Sequence, residues 1–344
     1  MSVIARRMSS AWSASIDRSL VPALELMWML GGNPNDESRQ ARQALSFDFY
    51  TSPRWQRESF FVEPPAPRIE RRTRPLERRI ERLRWPSNYR TRDPDYQARF
   101  DSWEANTTCH AEHFRHPRGC RGTVILVHSW ATGSFLFTRE AFQLRELYRS
   151  GLDVFIFILP FHGPRTPKGS LYGGQLFPGT SPRRTNETFG QAIWDLRGLI
   201  KTIEGPVGVM GQSLGGYVAA LLASVEPRLS FVIPMVPMVS LADLMWELGE
   251  RNPQRRAAEE RGVTVDTLRD LYAVHSPLRL QPLVPRDRRM IIAGSGDRVT
   301  RPDHVELLWQ HWGRPRIHWF PGGHMLHFGR GAAFAEVREF LADL

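Results

Sequence analysis

The residues with the clearest capacity for chemistry form a short run, Gly211-Gln212-Ser213-Leu214-Gly215. A serine hydroxyl is a weak nucleophile at neutral pH. It needs a general base within hydrogen-bond reach, and the base needs a carboxylate to orient it. Both partner types occur downstream, each after an apolar run. Asp297 closes Gly294-Ser295-Gly296-Asp297, and His324 closes Pro321-Gly322-Gly323-His324. Two other histidines compete for the role of base: His318 lies inside an apolar run, and His327 begins the approach to the last helix.

These residues work only if the chain presents them on one edge. Residues 206–210 read as a buried strand and 217–223 as a helix, so Ser213 sits on a tight strand-to-helix turn. Gly211 and Gly215 are small where larger side chains would collide across that turn. The pattern from residue 80 onward alternates strand and helix. Residues 80–85 and 107–114 read as opening antiparallel strands. The runs 123–127, 154–159, 231–235, 289–293 and 316–320 read as buried strands. Between them, 141–149, 186–204 and 303–312 read as helices, and a closing helix spans 331–344. Such alternation predicts a mostly parallel sheet with helices on both faces. Residues 241–288 interrupt it with helical pieces.

The segment before residue 80 reads as an extension. Ile16, Leu20, Leu24 and Met27 share one helical face, ending at Gly31-Gly32, and a second short helix is expected over 36–45. Packing on the main domain is the first reading of this face. A peripheral membrane contact through residues 16–30 is the second. Residues 62–75 read as a Pro/Arg-rich extended linker, and 68–92, with ten arginines and three glutamates, as a solvated, partly helical segment. The expected division is an N-terminal extension at 1–79 and a catalytic domain at 80–344. The chemistry is expected not to need the residues before about 60.

At 344 residues with a formal charge of +10, the chain invites a nucleic-acid reading. That reading is declined. Lys168 and Lys201 are the only lysines among 46 basic residues, a skew typical of GC-rich coding, and the charge is spread along the chain. No apolar run spans a bilayer, and no secretory signal is recognised, so a cytoplasmic location is expected. Cys109 and Cys120 are expected as free thiols. No metal-ligand spacing and no Gly-rich phosphate fingerprint appear, so neither a metal nor a cofactor is expected.

The order Ser213, Asp297, His324, each at a strand end, resembles the α/β-hydrolase superfamily from about residue 80 to the C-terminus. The resemblance implies an eight-stranded, mostly parallel sheet, and it favours His324 over its rivals, because a Gly-Gly-His loop is the superfamily's usual form. It implies an oxyanion hole from the backbone amides of Leu214 and, by position after the strand at 123–127, Trp130. The superfamily usually shows His-Gly at that place; this chain has His128-Ser129. His128 and His162 end strands near the site and are expected to shape the pocket through hydrogen bonds. The 241–288 insert sits where the superfamily often places a lid, so Met238, Met245 and Trp246 are expected to wall a substrate pocket. The implied activity is cleavage of a small-molecule or lipid carboxylic ester through an acyl-enzyme. A peptidase, amidase or acyltransferase with the same triad is the alternative, and a non-catalytic binding protein on the same scaffold is a further one.

Overall fold

Short runs rich in Val, Ile and Phe extend as strands when both faces are covered. In the computed structural model, which describes residues 3–30, 48–74, 77–117, 119–179, 181–250, 253–325 and 329–343, these runs assemble one sheet. Its strands are β1 (Glu70–Arg74), β2 (Glu77–Pro86), β3 (Thr108–Phe114), β4 (Gly122–Val127), β5 (Leu152–Phe157), β6 (Val207–Gln212), β7 (Leu229–Met235), β8 (Met290–Gly294) and β9 (Arg316–Phe320). The spatial order is β1-β2-β3-β5-β4-β6-β7-β8-β9. β4 to β9 run parallel, and β1, β2 and β3 add an antiparallel flank.

The period-two alternation of strands divides the core into two layers. In β4, Ile125 and Val127 join one apolar cluster while Val124 and Leu126 join the other. The first layer is closed by helices Pro182–Lys201 and Leu214–Leu222, the second by Leu144–Arg149 and Arg330–Ala342. Between β7 and β8 the chain forms helices Leu241–Leu248, Pro253–Glu259 and Val265–Leu271, of which the first and third pack together.

The sheet has nine strands rather than eight, and the difference lies in the arginine-rich segment. There the linker and helical readings fail, because 70–74 and 77–86 pair as antiparallel strands, and the expected boundary after residue 79 falls inside β2. The strand expected at 80–85 lies within β2, where Leu83 and Trp85 are buried while Arg82 and Arg84 face outward, whereas residues 70–73 of β1 are all exposed and show no apolar alternation. The preceding residues are tied in as well. The buried Glu187 carboxylate accepts hydrogen bonds from the Tyr50 hydroxyl (2.6 Å), the Tyr89 hydroxyl (2.8 Å) and the amides of Arg92 (2.8 Å) and Asp93 (3.0 Å). Two helices differ in extent. Ser181-Pro182 opens the long helix before Asn186, the serine capping the Arg184 amide and the proline supplying the first helical φ. The helix expected at 141–149 is two, Phe135–Ala141 and Leu144–Arg149, parted at Gln143 with φ +46°. The short helix expected over 36–45 lies outside the described residues.

Candidate active site

β6, β8 and β9 end on the same edge of the sheet, so loops far apart in sequence converge there. β6 turns directly into helix Leu214–Leu222 through Ser213, whose φ of 54° and ψ of −112° are strained for a residue with a side chain. The turn exists because Gly211 and Gly215 lack Cβ atoms. A Cβ on Gly211 would stand 2.0 Å from the Gly215 carbonyl oxygen, and one on Gly215 would stand 2.1 Å from that of Val127. The second contact presses the first helical turn against the end of β4. Leu214 opens this helix, so its amide is one of the first-turn donors without an intrahelical acceptor.

The loop after β8 carries Asp297 and the loop after β9 carries His324. His324 Nε2 is 2.9 Å from Ser213 Oγ, and His324 Nδ1 is 2.9 Å from Asp297 Oδ2. All three residues are buried. The other Asp297 oxygen accepts from the amides of Val299 (2.9 Å) and Thr300 (2.8 Å), which locks the carboxylate's rotation. The Thr300 hydroxyl lies 2.9 Å from Asp297 Oδ2 and 3.1 Å from the Val236 carbonyl. Burial opposes charging of His324, but the nearby carboxylates of Asp297 and Asp17 outweigh it, and the imidazole pKa lies above its ordinary 6.5. This constellation can take a proton from Ser213 at Nε2 while Nδ1–H stays on Asp297.

The remaining expected residues fall in three places. Trp130 lies in the turn after β4, half-buried, its indole N–H donating to the Gly174 carbonyl (2.9 Å). His128 Nε2 accepts the Leu159 amide (3.1 Å), so Nδ1 carries the proton and donates to the Ser129 carbonyl (2.8 Å). It ties the turn after β4 to the segment after β5. Burial pushes its pKa down to about 4. His162 Nδ1 donates to the Pro160 carbonyl (2.8 Å), its Nε2 faces Gly174, and burial holds its pKa well below the ordinary value. Met238 is buried just beyond the elbow, and its amide donates to the Ser213 carbonyl (3.1 Å). Met245 and Trp246 are half-buried on helix Leu241–Leu248, with the Arg255 guanidinium stacked 4.2 Å over the Trp246 ring. His318 sits in β9, and His327 lies outside the described residues. Among the described residues no group of His, Cys, Asp and Glu could hold a metal, and no helix is long and apolar enough to cross a membrane. Cys109 is buried and Cys120 exposed, both free.

Sequence reasoning missed Thr300 and Asp17. Thr300 carries a faint signal, a hydroxyl three residues after Asp297 in a turn-forming stretch. Asp17 carries none. It lies on the N-terminal helix Val3–Leu30, fully buried, and accepts the His324 amide at 2.7 Å. The same helix touches the domain again where Ser10 Oγ meets Ser295 Oγ (3.0 Å) and where the Tyr172 hydroxyl donates to the Met27 carbonyl (2.6 Å). From Ser10 to Met27 is about 25 Å of helix laid along the loops at this edge. The residues before 60 thus contact the loops that carry Asp297 and His324, which the expectation that the chemistry does not need them had not included. The helix buries Ser13, Ala14 and Asp17, while Ile16 and Met27 are half-buried; the side chains of Leu20 and Leu24 are outside the described set.

Residues 124–337, well over half of the chain, match the family model described as "Alpha/beta hydrolase family". The chain is 35% identical over 298 residues to the uncharacterized protein Rv2627c of Mycobacterium tuberculosis, covering 82% of this chain and 69% of that protein. Two solved structures share the fold. Acetyl xylan esterase 1 from Thermoanaerobacterium sp. superposes with a TM-score of 0.58 at 18% identity, over 89% of this chain and 99% of the other. An acetyl xylan esterase from Paenibacillus sp. R4 gives 0.55 at 14% identity, over 92% and 98%.

Proposed function

The chain belongs to the alpha/beta hydrolase family, and from that premise we propose that it is a serine hydrolase of carboxylic esters acting through an acyl-enzyme. The observation that carries this is the unbroken relay from Ser213 Oγ to His324 Nε2 and from His324 Nδ1 to Asp297, at 2.9 Å in each step.

Ser213 Oγ attacks the ester carbonyl while His324 Nε2 takes its proton. The carbonyl oxygen becomes an oxyanion, held by the amides of Leu214 and Trp130. Collapse breaks the bond to the alcohol, which leaves with the proton returned by His324. Water then enters, gives a proton to the same nitrogen and attacks the acyl carbonyl; when the tetrahedral adduct collapses, the bond to Ser213 Oγ breaks, His324 returns the proton to Oγ and the acid leaves. Asp297 holds the imidazole in the Nδ1–H tautomer and stabilises the imidazolium formed in both halves. His128 supports the turn bearing Trp130 and takes no proton, since both ring nitrogens are engaged. In this reading Met238, Met245 and Trp246 are the apolar side chains that would wall an acyl pocket. The acetyl xylan esterases of similar fold are in keeping with ester chemistry.

The test is labelling of the wild-type chain with a fluorophosphonate, followed by turnover of p-nitrophenyl esters of increasing acyl length. Covalent labelling at Ser213 together with ester turnover is expected. An unlabelled, inert wild type would remove the reading, and cleavage of anilides with no turnover of esters would replace it with an amidase.

A further inference from the structure

A carboxylate taken out of water must recover its hydration from fixed donors. Asp17 does so entirely on the loops that carry the proposed base and acid. Its Oδ2 accepts the amides of His324 (2.7 Å) and Arg298 (3.1 Å), and its Oδ1 accepts the amide of Met325 (3.3 Å). Arg298 follows Asp297 directly, so one side chain joins the loop after β8 to the loop after β9. The approach is close enough to dictate a neighbour: a Cβ on Gly323 would stand 2.6 Å from Asp17 Oδ2. The helix is seated by the same face one and two turns earlier. Ser13 packs toward Gly296, and Ser10 meets both Gly296 and Ser295.

We propose that Asp17 is a positioning residue for the Ser213–His324 couple, clamping the two loops in the register that keeps Nε2 on Oγ and Nδ1 on Asp297. This rests on the hydrolase reading above, since it assigns Asp17 a part in that site. Asp17 never touches substrate in this scheme. Its carboxylate acts in two ways, through the three amides it orders and through its charge. The charged groups bearing on the imidazole are Asp297 and Asp17, and both raise its proton affinity against the effect of burial.

The experiment compares wild type, Asp17→Asn, Asp17→Ala and Gly323→Ala as full-length chains, with p-nitrophenyl acetate as substrate and histidine NMR titration of His324 as a second readout. Asp17→Ala is expected to lower kcat on the order of 10- to 100-fold with KM changed less than about threefold, as for a displaced catalytic group. Asp17→Asn keeps one acceptor oxygen and is expected to recover part of kcat. In both variants the acid limb of the kcat/KM profile and the His324 titration move to lower pH. Gly323→Ala pushes the loop off the carboxylate from the opposite side and is expected to reproduce the kcat loss, so the proposal stays testable if an Asp17 variant fails to fold. Unchanged kcat and unchanged His324 titration in an active background would overturn the proposal and leave the hydrolase reading intact. An inert wild type whose His324 titration still shifts on Asp17→Asn would remove the hydrolase reading and uphold the clamp.

Discussion

The proposed nucleophile, Ser213, and the proposed base, His324, are held by opposite means. Ser213 is presented by five consecutive residues whose shape is imposed by sterics: two glycines at the closest approaches, a strained serine between them, and a helix starting at once. His324 sits on a loop whose position is set by partners distant in sequence. Asp297 is 27 residues away, Ser213 is 111 and Asp17 is 307. The elbow is rigid because its backbone has no room to move. The His324 loop is held only while buried hydrogen bonds from other elements stay satisfied. Local sterics thus place Ser213, and long-range polar contacts place His324 beside it.

If that contrast holds, damage to the two halves should differ in kind. The largest effect is expected from Ser213→Ala, with loss of labelling and a fall in kcat on the order of 10⁵- to 10⁶-fold; retained ester turnover would break the scheme. Asp297→Asn keeps the shape but favours the wrong imidazole tautomer, and a loss of about 10⁴-fold is expected in steady-state kcat. Removal of residues 1–30 takes away the Asp17 clamp, and kcat should fall at least about 10-fold while fluorophosphonate still reaches Ser213 slowly. A truncated chain with wild-type kcat would show that the base loop needs no distant support. Thr300→Val, which deletes one hydroxyl beside Asp297, should cost about 10-fold or less, read as kcat with little change in KM. The smallest effect concerns pH. His324 must be neutral to accept the serine proton, and its pKa is raised, so kcat/KM should fall as pH drops through a value above 6.5. An acid limb centred below 6.5 would mean that the carboxylates do not outweigh burial.

Much of the fold was legible because its central strands are apolar runs. Residues 123–127 and 231–235 stand as buried segments whose apolar character no charge interrupts, and both lie within strands, β4 and β7. In the arginine-rich segment the strand expected at 80–85 lies within β2, and the missed strand is β1, where residues 70–73 are charged or polar and exposed, so no apolar period marks it. The N-terminal helix packs on the domain, as its first reading had it, but through a different face. Its apolar stripe drew attention to Ile16 and Met27, whereas the face buried against the domain carries Ser13, Ala14 and Asp17, small and polar residues without a hydrophobic signature.

By itself the sequence determined the parallel sheet, the elbow at Ser213 and the strand ends that carry Ser213, Asp297 and His324, because each depends on contacts within a few residues or on the period of a single strand. Only the tertiary structure decided that the Asp17 carboxylate lies on the His324 loop. It is bound through backbone amides, which no side chain announces, so a hydrogen bond spanning 307 positions leaves no local trace.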